Sequence, residues 1–188
     1  MSAPLSAIVL AAGLGTRMGM AKARLLLDGE SLLRRHVVRF LEAGCGRVTV
    51  VVRSIDEQAV YELLTDLPSR VLVGDTASQA HSLALAVNSH EHEEGAVFVT
   101  PVDLRPAALT TLHDLSIALD DDFDAVTPQH GGVGGHPALI RAAELRTITR
   151  VLRPLCDLLH DLGARRRRLA VDDATVAEDF DAPSDLSR

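Results

Sequence analysis

Leu10-Ala11-Ala12-Gly13-Leu14-Gly15-Thr16-Arg17-Met18-Gly19 is the stretch that decides the fold, and Lys22 lies three residues beyond it. It directly follows Ala7–Leu10, a short apolar run that predicts a buried strand. Glycines let backbone amides approach an anion closely, and successive amides can form a concavity that holds one. Arg17 can donate forked hydrogen bonds to a phosphate, and Lys22 adds a compact positive charge. The stretch therefore predicts a strand followed by a loop that binds nucleotide phosphates.

Other interpretations of this loop stay open. It could be a tight strand-to-helix turn with no ligand. Its spacing, G-x-G-x-x-x-G, is one residue longer than the dinucleotide fingerprint, and Arg53 stands where an acid is expected after the second strand. Because an arginine there could bind a 2′-phosphate, an NADP-dependent reductase remains an alternative. A P-loop is excluded, since no G-K-[ST] ends the stretch.

Composition narrows the classes of protein that fit. The 188 residues fit one domain, 1–188, and a net charge of −7 with no Trp and one Tyr argues against nucleic-acid binding. No apolar run approaches the roughly 18–20 residues that span a bilayer, and no basic region precedes the first apolar run. We expect a cytoplasmic protein that binds no membrane. Cys45 and Cys156 form no metal or redox motif and are expected to be small core residues.

Strand and helix patterns alternate along the chain, which is typical of a layered sheet with helices on its faces. We predict an α/β fold of three layers, with a mostly parallel central sheet and helices on both faces. The other predicted strands are Val48–Val52, Val71–Val73, Ala96–Thr100, Asp124–Thr127, Ala138–Ile140 and Leu169–Val171. The predicted helices are Ser31–Ala43, Asp56 to about Leu67 with Asp56 as its cap, Ser78–Val87, Leu109–Leu119 and Thr147–Gly163, with Pro154 near the first turn of the last or kinking it.

Three further segments carry candidate functional residues. Asp103 follows the apolar strand at Ala96–Thr100, where a metal ligand or a helix cap would both fit. Gly134-Gly135-His136-Pro137 precedes an apolar strand and could form the wall of a site or an ordinary turn. Residues 178–186 alternate acids around Phe180 and could equally be a frayed acidic terminus. The run His90–Glu94 is expected to be a solvated turn, and Arg165–Arg168 a solvated edge.

The order of these motifs resembles a known family. Leu10-Ala11-Ala12-Gly13-x-Gly15-x-Arg17-Met18-Gly19-x-x-Lys22, Pro101-Val102-Asp103, Gly135-His136-Pro137 and Asp179–Leu186 together resemble the nucleotidyltransferases of molybdenum-cofactor maturation and their close relatives. The continuation Leu25-Leu26-Leu27-Asp28-Gly29 is also similar. The resemblance implies a nucleotide-diphospho-sugar-transferase-like fold and Mg²⁺-dependent transfer of a nucleoside monophosphate from an NTP. The acceptor would be a small phosphorylated molecule, such as a molybdopterin-type cofactor, and pyrophosphate would leave.

The resemblance also implies roles for single residues. According to the resemblance, base and ribose are held by the backbone of Leu10, Ala11, Ala12 and Gly13, and the triphosphate by Gly15, Arg17 and Lys22. Mg²⁺ is bound by Asp103 and Asp181. The nucleotide is also contacted by Asp75, and the acceptor by Gly135 and His136. Arg17, Lys22 and Asp103 would be the catalytic residues. Alanine at Ala12, where guanylyltransferases tend to carry glycine, favours CTP over GTP.

The chain also departs from the family pattern. The D-x-P loop after the metal acid is shortened or shifted in Asp103-Leu104-Arg105-Pro106, and the glycine-containing segment before the third helix is replaced by Ser78–Ser82. These changes leave the triphosphate and metal residues in place but affect the acceptor side. A nucleotide-binding regulatory or chaperone protein without turnover therefore remains an alternative. The sequence leaves the oligomeric state open.

Overall fold

The computed structural model describes residues 4–13, 21–89 and 91–180. The strands are β1 (Leu5–Leu10), β2 (Leu26–Leu27), β3 (Glu30–Ser31), β4 (Arg47–Val52), β5 (Ser69–Val73), β6 (Ala96–Pro101), β7 (Ala125–His130), β8 (Val133–Gly134), β9 (Ala138–Arg141) and β10 (Arg166–Ala170). The helices are α1 (Leu32–Glu42), α2 (Glu57–Leu64), α3 (Gln79–Asn88), α4 (Leu109–Ala118), α5 (Ala142–Ile148) and α6 (Leu155–Asp161).

The central sheet has the strand order β10-β7-β9-β6-β1-β4-β5, and β8 pairs with β7. Strands β4 and β6, which flank β1, both run parallel to it. Strand β5 runs parallel to β4, and β10 runs parallel to β7. Strand β9 runs antiparallel to both β6 and β7. The predicted mostly parallel sheet is confirmed, and its parallel strands all direct their carboxyl ends to one edge.

Helices cover both faces of this sheet, as predicted. Alternate residues of β1 point to opposite faces because side chains alternate along a strand. Val9 belongs to the core layer formed with α1, α2 and α4, whereas Ile8 belongs to the layer formed with α3, α5 and α6. Phe40 of α1 stacks on Phe98 of β6 with ring centroids 5.5 Å apart. The two apolar layers hold the central strands rigidly and so fix the loops at their carboxyl ends.

The helix predicted over Thr147–Gly163 is wrong in extent. The structure has two helices there, α5 ending at Ile148 and α6 beginning at Leu155, with Pro154 as the residue before α6. Pro154 has no amide hydrogen to continue a helix, and its ring disfavours the helical conformation for the residue before it. The helical conformation is therefore interrupted between α5 and α6.

The predicted cap of α2 also differs from the structure. Asp56 makes no capping hydrogen bond to α2; its carboxylate pairs with Arg24 instead.

Three smaller expectations also differ from the structure. His92 is not solvated but buried, with ring nitrogens 2.8 Å from Ser6 Oγ and 2.9 Å from Thr49 Oγ1. Cys45 is a buried core thiol as expected, and burial raises its pKa to about 12, but Cys156 is exposed. Arg165 and Arg168 are exposed at the sheet edge, as expected, but the edge strand β10 starts at Arg166 rather than at Leu169. Within the described residues, every helix is too short or too polar to cross a membrane.

Candidate functional site

The candidate site lies at the edge where β1 and β6 end side by side. Val102 donates its amide to the carbonyl of Leu10 at 3.1 Å, so the segments that follow the two strands leave the sheet together. On the other side, Ala11 donates its amide to the carbonyl of Val51 at 2.8 Å. The Leu10–Gly13 segment is therefore held from both sides at the carboxyl end of the sheet, where open α/β sheets bind ligands.

The side chain of Lys22 lies at this edge of the sheet and connects the glycine-rich motif with the motif that contains Asp103. A Cβ on Gly13 would lie 2.8 Å from Lys22 Cδ, so the absence of a side chain at Gly13 lets the lysine stem pass. Lys22 Nζ forms an ion pair with Asp103 Oδ2, and the two side chains are only 25% and 13% exposed. The structure therefore brings a cation and a carboxylate predicted from separate motifs into direct contact. Gly15 and Arg17 lie outside the described residues.

The C-terminal motif meets Asp103 from the other side. Phe180 donates its amide to the carbonyl of Asp103 at 2.9 Å, and Leu104 forms an antiparallel bridge with Asp179. Arg105 forms an ion pair with Glu178 at 2.6 Å. The second and last motifs are therefore neighbours. Asp181, the predicted second metal ligand, lies outside the described residues.

A small apolar cluster fixes the start of the C-terminal motif. Phe180 is buried against Leu25, Leu27 and Leu32. These leucines are brought together by the β2–β3 hairpin, whose turn residues Asp28 and Gly29 have φ angles of 54° and 78°. Two positive φ angles suit the Asp-Gly pair of a two-residue hairpin turn. The segment after Lys22 and the segment before Asp181 therefore share one packing unit.

His36 is a site residue that the sequence analysis missed. It lies on α1, is buried, and its Nε2 donates to the carbonyl of Leu104 at 2.8 Å. Burial lowers the pKa of His36 to about 4, against the hydrogen bonds to the Leu104 and Val102 backbone and the charge of Asp103. The neutral ring therefore supports the loop that carries Asp103. Its position between Leu32 and Phe40 on the apolar face of α1 is the signal that could have identified it.

Asp75 lies at the same edge of the sheet but has local partners. Its carboxylate accepts hydrogen bonds from the Ser54 amide at 3.1 Å and the Ser54 hydroxyl at 2.5 Å. These bonds, with the Arg53 guanidinium 3.8 Å away, lower the pKa of Asp75. Asp75 therefore ties the end of β5 to the end of β4, and its contact with a nucleotide stays a prediction.

Two cavities flank Leu10. The smaller, about 90 Å³, is called here the nucleotide cavity because several residues predicted to contact the nucleotide line it. Its lining is Leu10, Ala12, Gly13, Lys22, Thr76, Ala77, Ser78, Gln79 and Ser82. Ser78 caps the N-terminus of α3 by accepting the His81 amide, and Thr76 Oγ1 lies 2.5 Å from Ser82 Oγ. The serine-containing segment that departs from the family pattern therefore forms a polar wall of this cavity.

The larger cavity, about 300 Å³, is called here the acceptor cavity because two residues predicted to contact the acceptor line it. Its lining is Leu10, Gln79, Ala80, Leu83, Val99, Pro101, Thr127, Gly134, Gly135, His136, Ala138, Pro154, Leu155, Cys156, Leu159 and Arg166. Both predicted acceptor residues, Gly135 and His136, are among them. A Cβ on Gly135 would lie 2.2 Å from the Val176 carbonyl oxygen, so only glycine fits there. Burial lowers the pKa of His136, which favours its neutral form. Leu10 and Gln79 line both cavities, so the two adjoin.

The donor set for a metal is small in the described residues. Among them, no group of three or more His, Cys, Asp or Glu side chains could hold an ion. Asp103 offers a carboxylate beside Lys22, one of the residues predicted to bind phosphate. Mg²⁺ is commonly bound by one or two carboxylates together with substrate phosphates and water, so a single protein carboxylate here is compatible with it.

Comparison with known sequences identifies related proteins. The family model described as "MobA-like NTP transferase domain" matches residues 7–171. The bifunctional protein GlmU of Anaeromyxobacter sp. (strain K) is 37% identical over 106 residues, which cover 53% of this chain and 22% of GlmU. A 2-aminoethylphosphonate cytidylyltransferase of Lancefieldella rimae is 33% identical over 108 residues, covering 53% of this chain and 43% of that protein. The aligned part thus spans less than half of either relative.

Solved structures share the fold along almost the entire chain. Rv0371c of Mycobacterium tuberculosis H37Rv superposes with a TM-score of 0.84 at 21% identity, covering 98% of this chain and 97% of Rv0371c. A structure of Rv0371c in complex with manganese superposes with a TM-score of 0.80 at 22% identity, with the same coverage of both chains. At such identities the likeness establishes the fold alone.

Proposed function

The chain belongs to the MobA-like NTP transferase domain family and is a nucleotidyltransferase; from that premise we propose its reaction and its substrates. It transfers a nucleoside monophosphate from an NTP, CTP in preference to GTP, to a small phosphorylated acceptor such as a molybdopterin-type cofactor. Pyrophosphate leaves, and Mg²⁺ is the cofactor. Residues 1–188 act as one nucleotidyltransferase domain in the cytoplasm, where the free thiols Cys45 and Cys156 would stay reduced.

The contact among Gly13, Lys22 and Asp103 is the observation that carries this proposal. Lys22, the proposed cation for the triphosphate, lies beside Asp103, the proposed carboxylate for the metal, close to the end of β1. Attack at the α-phosphate increases negative charge on its non-bridging oxygens and on the departing pyrophosphate. Lys22, together with Arg17 in the proposed clamp, would stabilise that charge.

The residues present fit a magnesium ion. Asp103 already pairs with a positive group, the ammonium of Lys22, and its hard carboxylate oxygen is the donor type that Mg²⁺ prefers. Asp103 would hold the ion with Asp181, which follows Phe180 and hence the segment bonded to Asp103. When bound, the ion would neutralise charge on the phosphates of the nucleotide. The manganese complex of Rv0371c supports a divalent metal in this fold.

The chain's own residues would position the nucleotide and the acceptor. The backbone of Leu10–Gly13 would hold base and ribose beside Ser78, and Lys22 would move from Asp103 to the phosphates. A phosphate nucleophile is already anionic, so no general base has to remove its proton. His136, held neutral by burial, would contact the acceptor from the other side of Leu10.

The proposed base preference rests on Ala12. Its side chain is buried and lines the nucleotide cavity, where its methyl group leaves less room than glycine would. The smaller pyrimidine therefore fits better than guanine, and the cytidylyltransferase of Lancefieldella rimae is consistent with this choice.

A turnover assay separates the proposal from its alternatives. Pyrophosphate release is measured with CTP or GTP, Mg²⁺, and a panel of phosphorylated acceptors that includes molybdopterin, and nucleotide binding is measured in parallel by calorimetry. CTP-dependent release with an acceptor is expected. Pyrophosphate release with GTP but not with CTP would overturn the base preference. Nucleotide binding without pyrophosphate release, for every acceptor in the panel, would favour a regulatory protein.

The reductase alternative loses support in the structure. Arg53, which could have bound the 2′-phosphate of NADP, lies 3.8 Å from the carboxylate of Asp75. Tyr61, the chain's single tyrosine, is half exposed on α2, away from the residues that line either cavity. The same assay with NADPH in place of CTP should show no nucleotide binding.

A further inference from the structure

We propose that the acceptor has two ends: a reacting phosphate near Leu10, and a second anionic group that Arg166 binds at the far end of the acceptor cavity, with an apolar body between them. This inference rests on the proposed function for the reacting end. The anion site itself rests on Arg166 and the walls of the cavity. A carboxylate or a second phosphate would meet the requirement.

Arg166 differs from the arginines beside it in having no acidic partner among the described residues. Arg165 pairs with Asp124 at 2.7 Å, and Arg167 lies 3.7 Å from Asp120. The Arg166 Nε instead donates to the Thr127 hydroxyl at 3.1 Å, which fixes the guanidinium against the cavity wall. Its remaining donors leave a bidentate anion as a suitable partner.

The surroundings of Arg166 strengthen its need for an anion. Burial and the nearby charge of Arg168 lower the pKa of the Arg166 guanidinium, against a smaller opposing effect of Cys156. The described residues that line the acceptor cavity include no Asp or Glu. An anionic ligand would therefore meet no repelling carboxylate from this lining and would pair with a guanidinium that has no acidic partner among the described residues.

The rest of the lining favours an apolar body. Leu83, Val99, Leu155 and Leu159 form walls of the acceptor cavity, with Pro101 and Pro154 beside them. Apolar surface of this kind gains free energy by excluding water against a hydrocarbon or aromatic group, at roughly 25 cal/mol per Å². A small phosphate or a fully polar sugar would leave these walls wet. The cavity therefore selects a ligand with an apolar middle.

Strand order separates the anion at Arg166 from the reacting group. Strands β7, β9 and β6 lie between β10 and β1. Leu10 ends β1, whereas Arg166 begins β10. Since both residues line the same cavity from strands that are not neighbours, one elongated ligand can contact both.

Binding of 2-naphthoate and of neutral 2-naphthol, each titrated without nucleotide by calorimetry, tests this site. The naphthoate is expected to bind the wild type more tightly than the naphthol. Arg166→Leu should weaken naphthoate binding about tenfold or more, as loss of a charged hydrogen bond does, and leave naphthol binding unchanged. Arg166→Gln, which can still donate to Thr127 but has no charge, should show the same loss.

Arg168→Leu is the matched control, because it removes the same charge from the same strand at a residue that does not line the cavity. Equal naphthoate binding by the wild type, Arg166→Leu and Arg166→Gln would overturn the inference, as would equal losses in Arg166→Leu and Arg168→Leu. Binding of CTP with Mg²⁺ is measured on the same proteins and should not change. If no acceptor gives pyrophosphate while Arg166 still determines naphthoate binding, the proposed reaction fails and the anion site stands.

Discussion

At the scale of single residues, the ion pair of Lys22 with Asp103 joins two groups that have different partners in the proposed complex. A phosphate would attract the lysine, and a metal ion would attract the carboxylate. Because both side chains are largely buried, each charge depends on the other in the free protein. Nucleotide and metal should therefore each bind more tightly when the other is present. The phosphates would replace Asp103 as the partner of Lys22, and the metal ion would replace Lys22 as the partner of Asp103.

Lys22→Ala tests the phosphate clamp. Loss of a charged hydrogen bond of this kind typically costs about 1.5–3 kcal/mol, so the affinity for CTP with Mg²⁺ should fall by roughly ten- to a hundredfold. Arg17→Ala is expected to act in the same direction. Calorimetric titration measures both. Arg70→Ala is the control: Arg70 pairs with Glu91 and lies on β5 near its start, at the opposite edge of the sheet, and CTP affinity should not change. Wild-type affinity in both Lys22→Ala and Arg17→Ala would refute the clamp.

Asp103→Asn tests the metal ligand. The amide keeps the size of the side chain but lacks the negative charge that a hard cation requires. Pyrophosphate release should fall to background, while metal-free CTP binding should be largely retained. Asp114→Asn, an exposed change on α4, should leave release unchanged. If Asp103→Asn releases pyrophosphate at the wild-type rate, Asp103 does not bind the metal.

Sequence alone predicted the residues whose chemistry is local and missed those whose role depends on distant contacts. Gly13, Lys22 and Asp103 stand in short motifs, and the structure brings them together. The apolar spacing around His36 could indicate its burial, but not its hydrogen bond to a carbonyl 68 residues away. His92 was misjudged for the same reason, because the polar partners that allow its burial are on β1 and β4.

At the scale of elements, short apolar runs predicted most of the central strands, and apolar spacing predicted most of the longer helices. The errors fall where local signals conflict. In residues 147–163, apolar spacing favoured one helix, but Pro154 separates two. In β10, three consecutive arginines interrupt the apolar pattern that predicts a strand. The strand still forms, because an edge strand can keep long charged side chains partly in solvent. The β2–β3 hairpin was not predicted, since each of its strands has only two residues.

The last residue of β8, Gly134, and the residue after it, Gly135, offer a test in neighbouring glycines. A Cβ on Gly135 would lie 2.2 Å from a backbone oxygen of Val176, whereas one on Gly134 would meet nothing within 4 Å. Gly135→Ala should therefore destabilise the protein by about 1–3 kcal/mol, as overpacking does, and shift the wall of the acceptor cavity. Urea unfolding gives the free energy. Gly134→Ala should behave like the wild type, and equal stabilities of the two variants would contradict this close approach.

At the scale of the whole molecule, two buried histidines connect stability to pH. Burial lowers the pKa of both His36 and His92 to about 4. In the unfolded chain the ordinary value is about 6.5, so between these limits the unfolded state binds more protons than the native state. The stabilising contribution is therefore complete above about pH 6.5 and is lost as the pH falls toward 4.

His92→Gln should reduce this acid sensitivity. Each such histidine contributes a slope of up to about 1.4 kcal/mol per pH unit, so the variant should lose less unfolding free energy than the wild type between pH 7.5 and pH 4.5. Urea unfolding at several pH values measures the two curves. His113→Gln, an exposed change on α4, should keep the wild-type slope. An unchanged slope in His92→Gln would show that His92 is not held neutral.

During biosynthesis, the apolar cluster of Leu25, Leu27, Leu32 and Phe180 can assemble only late in translation. Phe180 is translated roughly 155 residues after Leu25, behind every strand of the central sheet. At 5–20 residues per second, the three leucines would wait about 8–30 s on a growing chain before their partner exists. During that interval they are exposed apolar groups that a ribosome-associated chaperone could bind. The segment that carries Lys22 would thus acquire its final packing only after Phe180 has emerged from the ribosome.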